Sequence, residues 1–268
     1  MKYLVEGMKT LVMKFGGASV ATLDSFSKIA KIIIEKSREF QKIVVVVSAM
    51  GDATEKFIHM ANAVHPNPPR REMDMLITVG ERISISLLAM ALDLEGINAV
   101  SLTGSQSGVL TSSNHSDARI LEVRPHRIVR HLDKGEIVIV AGFQGVSREG
   151  EITTLGRGGS DTSAVALGVA LFAEKVEFYK DVEGIYKEDP KKDSNAAFFP
   201  LLSHMEAFEV VSKGAKVLHP RSILLAEKNH LPLHVVSFKE GKKQYSEGTM
   251  IGKYPRTSIP EPKFEEVS

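Results

Sequence analysis

The chain has 268 residues, of which 43% are apolar and 25% charged, a composition typical of a globular protein with a sizeable core. Its 34 basic and 33 acidic residues nearly cancel, so charge gives no reason to expect nucleic acid or an anionic membrane as a partner. Because the sequence contains no cysteine, disulfides, thiolate metal sites and cysteine nucleophiles are excluded. Apolar runs such as 43–50 are far too short to span a bilayer, and Glu6 and Lys9 interrupt any signal-like region. We therefore expect a cytoplasmic protein.

Runs rich in β-branched residues alternate with amphipathic helical segments along the chain, which is the pattern of a parallel sheet covered on both faces. Strands are expected at 10–15, 42–48, 97–102, 136–143, 176–181 and 233–238. Helices are expected at 24–40, 81–95, 118–133, 160–173, 205–213 and 221–229. Gly96 and Gly135 stand where glycines that end helices belong. The predicted fold class is α/β, a three-layer sandwich with a mainly parallel central sheet in a single domain over 1–268.

Two segments are expected to lack regular structure. HPNPPRRE, at 65–72, contains three prolines and mixed charge, so we expect a surface connection there. The polar, proline-bearing tail after residue 239 is expected to be partly ordered at best.

The segment KFGGASV, at 14–20, is the first candidate site, at the end of the first predicted strand. Gly16 and Gly17 let the backbone turn sharply and present bare N–H groups, and the Lys14 ammonium beside them suits a phosphate. The alternative is an ordinary strand-to-helix turn with a solvent-facing lysine. The spacing matches neither common glycine-rich nucleotide motif.

The segment GRGGSDTSA, at 156–164, is the second candidate site. Ser160 and Asp161 are expected at the N-cap of a helix, whose positive dipole end and free N–H groups favour an anion. Arg157 adds a planar guanidinium that can bind a carboxylate or phosphate through two parallel hydrogen bonds. The alternative for Asp161 is that it serves only as a capping residue.

Seven segments together carry a family resemblance. They are KFGGASV, VVVVSAMGDAT, DMLITVGE, GSQSGVLTSSNHSDARI, GFQGVSREGEITTLGRGGSDTSAVALG, DVEGIYKEDP and GAKVLHPR, and they run from about residue 10 to residue 250. In order and spacing they resemble the catalytic domain of the aspartokinases, within the amino acid kinase fold. The resemblance implies phosphoryl transfer from Mg-ATP to the side-chain carboxylate of L-aspartate.

The resemblance also implies roles for individual residues. Lys14 would contact the transferring phosphoryl group and Asp161 would orient that lysine. Arg157 would bind the α-carboxylate of aspartate and Glu81 its α-ammonium, although a glutamate at a helix start could instead be a cap favoured by the helix dipole. The remaining implied substrate contacts are Ser48, Thr54, Gly158, Gly159 and Ser160. Residues 10–150 would form the lobe for the amino acid and 151–250 the lobe for ATP, with 251–268 as a tail.

For ATP, the implied contacts are Lys14, Gly16, Gly17, Ser19, Lys180, Asp181, Tyr186, Lys191, Lys216 and Val217. The family commonly has threonine at the positions of Lys180 and Ala18 and arginine at the position of Lys191, so nucleotide binding could differ in detail. His115 and His219 match family positions but show no metal spacing, and we expect both to be structural. No dedicated protein metal site is expected, since Mg²⁺ would arrive with the nucleotide, held by phosphates and water.

Other functions remain open at this point. A relative of the same fold could phosphorylate glutamate, acetylglutamate, a nucleoside monophosphate or another acid, and the chain could also be a ligand-binding regulator that has lost turnover. Members of the resembled family continue into paired ACT regulatory domains, for which residues 239–268 hold too little apolar material. We therefore expect the chain alone to be insensitive to lysine, threonine and methionine, and any homodimer to form through the kinase domain. The alternatives are a separate regulatory subunit or a shortened form of a longer chain.

Overall fold

The computed structural model describes residues 9–188, 196–215, 217–239, 247–256 and 260–266. Its helices are α1 Leu23–Lys36, α2 Ala53–Val64, α3 Arg70–Ile77, α4 Val79–Leu94, α5 His126–Leu132, α6 Gly159–Ala170, α7 His204–Ser212 and α8 Pro220–Lys228. Its strands are β1 Thr10–Phe15, β2 Lys42–Val47, β3 Ala99–Leu102, β4 Val109–Thr111, β5 Ile120–Val123, β6 Ile137–Ala141, β7 Gln144–Ser147, β8 Ile152–Thr154, β9 Lys175–Lys180, β10 Ile185–Tyr186, β11 Phe198–Phe199, β12 Leu201–Leu202, β13 Leu233–Ser237 and β14 Thr249–Ile251.

The central sheet has eight strands within the described residues, in the order β12-β14-β13-β9-β1-β2-β6-β3. The six strands expected from the sequence form its contiguous part from β13 to β3, and neighbouring strands there are parallel. The antiparallel exception is the pairing of β13 with β14. The mainly parallel sheet is thereby confirmed.

The strands of this sheet alternate their side chains between two apolar cores. On β1 and β2, Met13, Phe15 and Val45 pack with α1 and α4, whereas Val12 and Val46 pack with α6 and α8. This alternation follows from the two-residue repeat of a strand. Helices therefore cover both faces, and the three-layer sandwich is confirmed.

A second, four-stranded sheet in the order β5-β4-β7-β8 was not expected from the sequence. It corrects one prediction, because the helix expected over 118–133 is instead strand β5 followed by helix α5. The boundary is Pro125, which is the N-cap of α5. Proline disfavours a helical conformation for the residue before it, so the apolar run ILEV pairs with β4 instead.

The other helix predictions are confirmed with shifted ends, and two helices were missed. Helix α1 ends at Lys36 rather than at residue 40, and α2 and α3 were not expected. Helix α3 begins at Arg70, inside the segment expected to be irregular. Gly96 and Gly135 follow α4 and α5 with φ of +74° and +77°, in the left-handed conformation expected of glycines after helices.

One helical stretch in the described residues, Arg70–Leu94, is long and apolar enough to cross a membrane by length and composition alone. It comprises α3 and α4, and 44% of its most apolar window is buried inside the fold. Two of its buried residues, Asp74 and Glu81, are acidic. We interpret it as a helix pair that packs on the core with one face, since core helices of soluble proteins have the same length and composition, and side chains such as Met90 remain exposed.

The described part of the tail is more ordered than expected. Strand β14 lies between β12 and β13 in the central sheet. Further along, the Asn229 side chain donates to the carbonyl of Lys263 and accepts from its N–H, both at 2.8 Å. Backbone hydrogen bonds to neighbouring strands and an apolar contact from Phe264 stabilise these residues despite their polar sequence.

A buried carboxylate on α3 joins this helix to the four-stranded sheet. Asp74 is fully buried and accepts from the N–H and hydroxyl of Thr154, at 3.1 and 2.7 Å. It also accepts from the N–H of Ser116 at 3.1 Å and lies 2.8 Å from Nδ1 of His115. A buried carboxylate is tolerated when its lone pairs are satisfied in this way. Asp74 therefore fixes α3 against β8 and the turn at 115–116.

Replacing Asp74 with alanine should lower the free energy of unfolding by about 3 kcal/mol, because buried donors of Thr154 and Ser116 lose their acceptor. Urea denaturation followed by circular dichroism measures this change. Asp52→Ala is the matched control, since that carboxylate is 70% exposed and pairs with an exposed lysine. The control should be close to wild type, and equal stability of both variants would contradict this role for Asp74.

Candidate active site

Lys14 lies near the carboxyl end of β1 and is 5% exposed. Its neighbours Met13 and Phe15 point into the α1 and α4 core, so the alternation of the strand turns Lys14 toward α6. There its Nζ lies 2.7 Å from Oδ1 of Asp161. The alternative of a solvent-facing lysine is therefore excluded by the structure.

Asp161 lies between two lysines. Its second oxygen, Oδ2, is 3.5 Å from Nζ of Lys180, at the end of β9. Burial by itself raises the pKa of Asp161, but attraction to Lys14 and Lys180 outweighs it and lowers that pKa to about 2. Burial, together with repulsion from Lys14, lowers the pKa of Lys180 to about 8, although Asp161 opposes the change. With both lysines charged, the group of three carries a net positive charge.

The two glycines after β1 matter for different reasons, Gly16 for the space beside Lys14 and Gly17 for a close approach of two loops. A Cβ at Gly16 would lie 3.3 Å from Nζ of Lys14, so the absence of a side chain there leaves room beside the ammonium. A Cβ at Gly17 would lie 3.1 Å from the carbonyl of Ala49, because the two loops approach closely. Ser19 shapes the same loop. Its N–H donates to the carbonyl of Gly16 at 2.9 Å and its hydroxyl to that of Tyr179 at 3.2 Å.

Helix α6 begins one residue before the expected position. Its N-cap is Gly158, with φ of +69°, and a Cβ there would lie 2.1 Å from Cγ of His219. Ser160 and Asp161 are therefore inside the first turn of the helix and not at its cap, which corrects the sequence prediction. The N-terminal turn of α6, the positive end of the helix dipole, still adjoins Lys14 through Asp161.

Glu81 lies in the first turn of α4 and is 3% exposed. Its Oε1 accepts from the N–H of Ala49 at 3.1 Å, and its Oε2 is buried with no hydrogen-bond partner among the described residues. Burial raises the pKa of Glu81 to about 7, although the charge of Lys14 and the bond to Ala49 oppose the shift. A cationic ligand at Oε2 would supply the missing partner.

Two further residues expected at the substrate lie along the same edge. Ser48 follows β2, is partly exposed, and its N–H donates to the carbonyl of Phe15 at 3.1 Å. Thr54 is partly exposed in the first turn of α2. Gly159 and Ser160 are buried, and a Cβ at Gly142 would lie 2.9 Å from Oγ of Ser160.

Arg157 is exposed, and no contact brings it to Glu81 or Lys14 in the part of the chain that the structure describes. It lines a cleft of about 660 Å³ with Arg119, Arg221 and Glu265. Its guanidinium has no hydrogen bond or ion pair among the described residues. The structure therefore does not join the two residues expected to bind the two charges of an amino acid backbone.

The residues expected at the nucleotide are only partly described. Lys191 and Lys216 lie outside the described residues. Asp181 follows Lys180, and its charge raises the pKa of that lysine against the effect of burial. Tyr186 is on β10, and its hydroxyl lies 3.3 Å from Oε2 of Glu183. Val217 packs against the core on the α6 side.

Both histidines singled out in the sequence make hydrogen bonds to protein atoms. His115 pairs with Asp74, and His219 is the N-cap of α8, where its ring accepts from the N–H of Arg221 at 3.3 Å. Within the described residues no group of three or more histidine or acidic side chains is arranged to hold a metal ion.

Sequence reasoning missed two charged residues that support the site. Asp74 lies in the segment DMLITVGE and Arg221 in GAKVLHPR, so both were inside recognised segments. Asp74 bonds to Thr154, and Arg221 donates to the carbonyl of Leu155 at 2.6 Å. The available signal was a charge among apolar residues of a helix, but only the fold gives its partners.

The raised pKa of Glu81 should make stability depend on pH. A carboxyl whose pKa rises from 4.5 to about 7 on folding stabilises the protein below pH 4.5, and this contribution is lost as pH rises toward 7. Relative to Glu81→Gln, which cannot ionise, wild type should lose roughly 2 to 3 kcal/mol of unfolding free energy between pH 5 and pH 8.

Urea denaturation of both proteins at the two pH values measures the difference. Glu95→Gln, at the exposed C-terminal end of the same helix, controls for the loss of a carboxyl. A difference between wild type and Glu81→Gln that is constant with pH would show that Glu81 stays ionised in the folded protein.

Comparison with known proteins gives the family. Residues 9–237 match the model of the amino acid kinase family. An aspartokinase of Geobacillus stearothermophilus is 47% identical over 244 residues, which are 91% of this chain and 59% of that protein, so the chain spans little more than half of this relative. A crystal structure of aspartate kinase from Synechocystis has a TM-score of 0.81 at 41% identity, over 93% of this chain and 40% of that one.

A crystal structure of Escherichia coli aspartokinase III in complex with aspartate and ADP also has a TM-score of 0.81, at 27% identity, over 91% of this chain and 64% of that one. The family model covers most of the chain, and the three-layer fold agrees with these structures. The chain therefore belongs to the amino acid kinase family.

Proposed function

We propose that the chain transfers the γ-phosphoryl group of ATP to the side-chain carboxylate of L-aspartate, giving 4-phospho-L-aspartate and ADP. The observation that carries this proposal is the buried centre of Lys14, Asp161 and Lys180 beside a buried, half-satisfied Glu81. The similarity to aspartokinases, one of them crystallised with aspartate and ADP, supports it. In such relatives the product feeds lysine, threonine and methionine synthesis, and we propose the same pathway here.

The proposed chemistry requires charge neutralisation and alignment more than covalent catalysis. Lys14 would neutralise charge on the transferring phosphoryl group. The ion pair with Asp161, 2.7 Å from Nζ of Lys14 to Oδ1, fixes the orientation of the lysine side chain. Since one carboxylate lies between two lysines, positive charge is left for an anionic transition state. The bare backbone of Gly16 would leave space for the phosphates beside the Lys14 ammonium.

The acceptor would be recognised through its backbone charges. The α-ammonium would donate to the free Oε2 of Glu81 and hold that carboxyl in its ionised form. Arg157, whose guanidinium has no partner among the described residues, would bind the α-carboxylate after turning from its exposed position. Ser48, Thr54 and the loop of Gly158, Gly159 and Ser160 would line this pocket, with residues 10–150 forming most of the acceptor lobe.

The nucleotide would lie mainly on residues 151–250. Lys180, Asp181, Tyr186 and Val217 are the described contacts that we propose, and Lys191 and Lys216 are proposed from the family resemblance alone. The space at Gly16 beside the Lys14 ammonium fits a phosphate. When bound with the nucleotide, Mg²⁺ neutralises phosphate charge.

The test is an assay of ADP formation with L-aspartate, in which hydroxylamine traps the acyl phosphate as a hydroxamate. Lys14→Ala should fold normally and lose at least ~10³ in kcat, roughly 4 kcal/mol of barrier, because the developing charge loses its buried cation. Thermal unfolding checks the fold of the variant. Near-normal turnover in a folded Lys14→Ala protein would show that Lys14 does not act on the phosphoryl group.

The same assay separates the alternatives. Glutamate, acetylglutamate and uridine monophosphate replace aspartate at equal concentration. Faster turnover with one of these compounds would identify that compound, and not aspartate, as the acceptor. No turnover with aspartate or with any of them would favour a ligand-binding regulator.

Arg157→Lys keeps the charge but loses the planar fork, so the KM for aspartate should rise by about tenfold or more while the KM for ATP stays nearly constant. Arg119→Lys is the matched control, since Arg119 lines the same cleft. That variant should leave both Michaelis constants unchanged. Equal increases for aspartate and ATP in Arg157→Lys would assign Arg157 to phosphate instead.

A further inference from the structure

We infer that Arg221, held by Glu265, is a positioning residue for the loop that carries Arg157, and that the segment 260–266 thereby completes the acceptor site. The effect on acceptor binding rests on the role of Arg157 in the proposed function. The effect on the loop itself rests on geometry alone.

Arg221 joins three parts of the chain. Its Nη1 donates to the carbonyl of Leu155 at 2.6 Å, and its Nη2 donates to the carbonyl of Ala118 at 2.7 Å. Its Nε and Nη2 both donate to the carboxylate of Glu265, with Nη2 at 2.6 Å from Oε2. The side chain is 11% exposed, and four of the five guanidinium N–H groups donate to these partners. Arg221 is therefore occupied in holding the chain and is not a free cation of the cleft.

Hydrogen bonds to Ile120 fix the position of Glu265. Its side chain is 12% exposed. Its N–H donates to the carbonyl of Ile120 at 3.0 Å, and its Oε2 accepts from the N–H of Ile120 at 2.8 Å. Phe264 packs against the apolar core, and Lys263 bonds to Asn229. The segment 260–266 is thus built into the fold next to β5, and its carboxylate fixes the direction of Arg221.

The Arg157 loop needs such support because of its sequence. Gly156 and Gly158 flank Arg157 with φ of +71° and +69°, and glycines in this region add backbone freedom that must be lost on ordering. Arg221 anchors Leu155, the residue directly before Gly156. On the other side the N–H of Gly159 donates to the carbonyl of Gly156 at 3.0 Å. Arg157 is left free between two fixed points.

A pre-ordered loop matters for binding. Ordering a loop at the moment of binding lowers affinity, so a ligand gripped by Arg157 gains from a loop that is already held. Arg157, Arg221 and Glu265 line the same cleft, so the pair of Arg221 and Glu265 lies beside the loop that it supports. Loss of the Glu265 charge should therefore loosen the loop and weaken the acceptor without removing any group that touches the phosphates.

The experiment compares Glu265→Gln with Glu266→Gln in the full chain. Both remove one carboxylate from the same segment, but Glu266 is 87% exposed and bonds to Lys228 rather than to Arg221. Amide hydrogen exchange of residues 155–160, measured by mass spectrometry without ligand, should quicken by ~10-fold in Glu265→Gln and stay at the wild-type rate in Glu266→Gln.

In the turnover assay, the KM of Glu265→Gln for L-aspartate should rise by ~5- to 20-fold, with kcat and the KM for ATP within about twofold of wild type. The α-amide of aspartate, which lacks the α-carboxylate, should bind both proteins equally in competition with aspartate. A general structural defect would instead change all of these constants together.

Unchanged exchange at 155–160 in Glu265→Gln would overturn the positioning role, and faster exchange with an unchanged aspartate KM would overturn the link to the acceptor. If wild type does not turn over aspartate, the proposed function fails, and the exchange comparison still decides whether Glu265 holds the loop. Arg221→Lys, which cannot span Leu155, Ala118 and Glu265 at once, gives the same two readouts if Glu265→Gln does not fold.

Discussion

The buried ion pair between Lys14 and Asp161 is the constraint on which the site depends. Moving two charges out of water costs several kcal/mol per ion, and the attraction between them offsets this only at close range. The 2.7 Å separation requires that β1 turn Lys14 toward α6, and that α6 pack directly on the sheet. The sequence of α6 permits this packing, since it is buried throughout and a Cβ at Gly168 would lie 2.8 Å from Cγ2 of Val176.

Around this pair the structure separates fixed charges from available ones. Asp74 and Arg221 have their hydrogen bonds satisfied and hold Thr154 and Leu155, the two residues that lead into the glycine loop. Glu81 keeps one buried oxygen unpartnered and Arg157 keeps its guanidinium unpaired, within the described part of the chain. Satisfied charges make a rigid support, and unsatisfied charges are the ones that a ligand can use. This division explains how an exposed, glycine-flanked arginine is carried by a loop that Arg221 holds.

The two sheets differ in how far the sequence revealed them. Six of the eight described strands of the central sheet were predicted within two residues at their ends, and the clearest of them, KIVVVV of β2, is a continuous apolar run that is buried throughout. Strands of the second sheet are three or four residues long, and β8 is the polar sequence ITT. Such short strands are stabilised by pairing with distant partners and carry little local signal. The same reason explains why β5 was taken for the start of a helix and why β14 was missed.

The sequence by itself predicted the fold class and singled out Lys14, Arg157 and Asp161, because glycine-flanked charges at strand ends and helix starts are local patterns, whereas Glu81 was predicted from the family resemblance. Only the tertiary structure decided that Lys14 is buried, that Lys180 shares its carboxylate, and that Arg157 lies exposed in a separate cleft. It also supplied Asp74, Arg221 and Glu265 as supports, each acting on a segment far away along the chain. Burial and long-range pairing depend on which segments the fold brings together, and no local pattern contains that information.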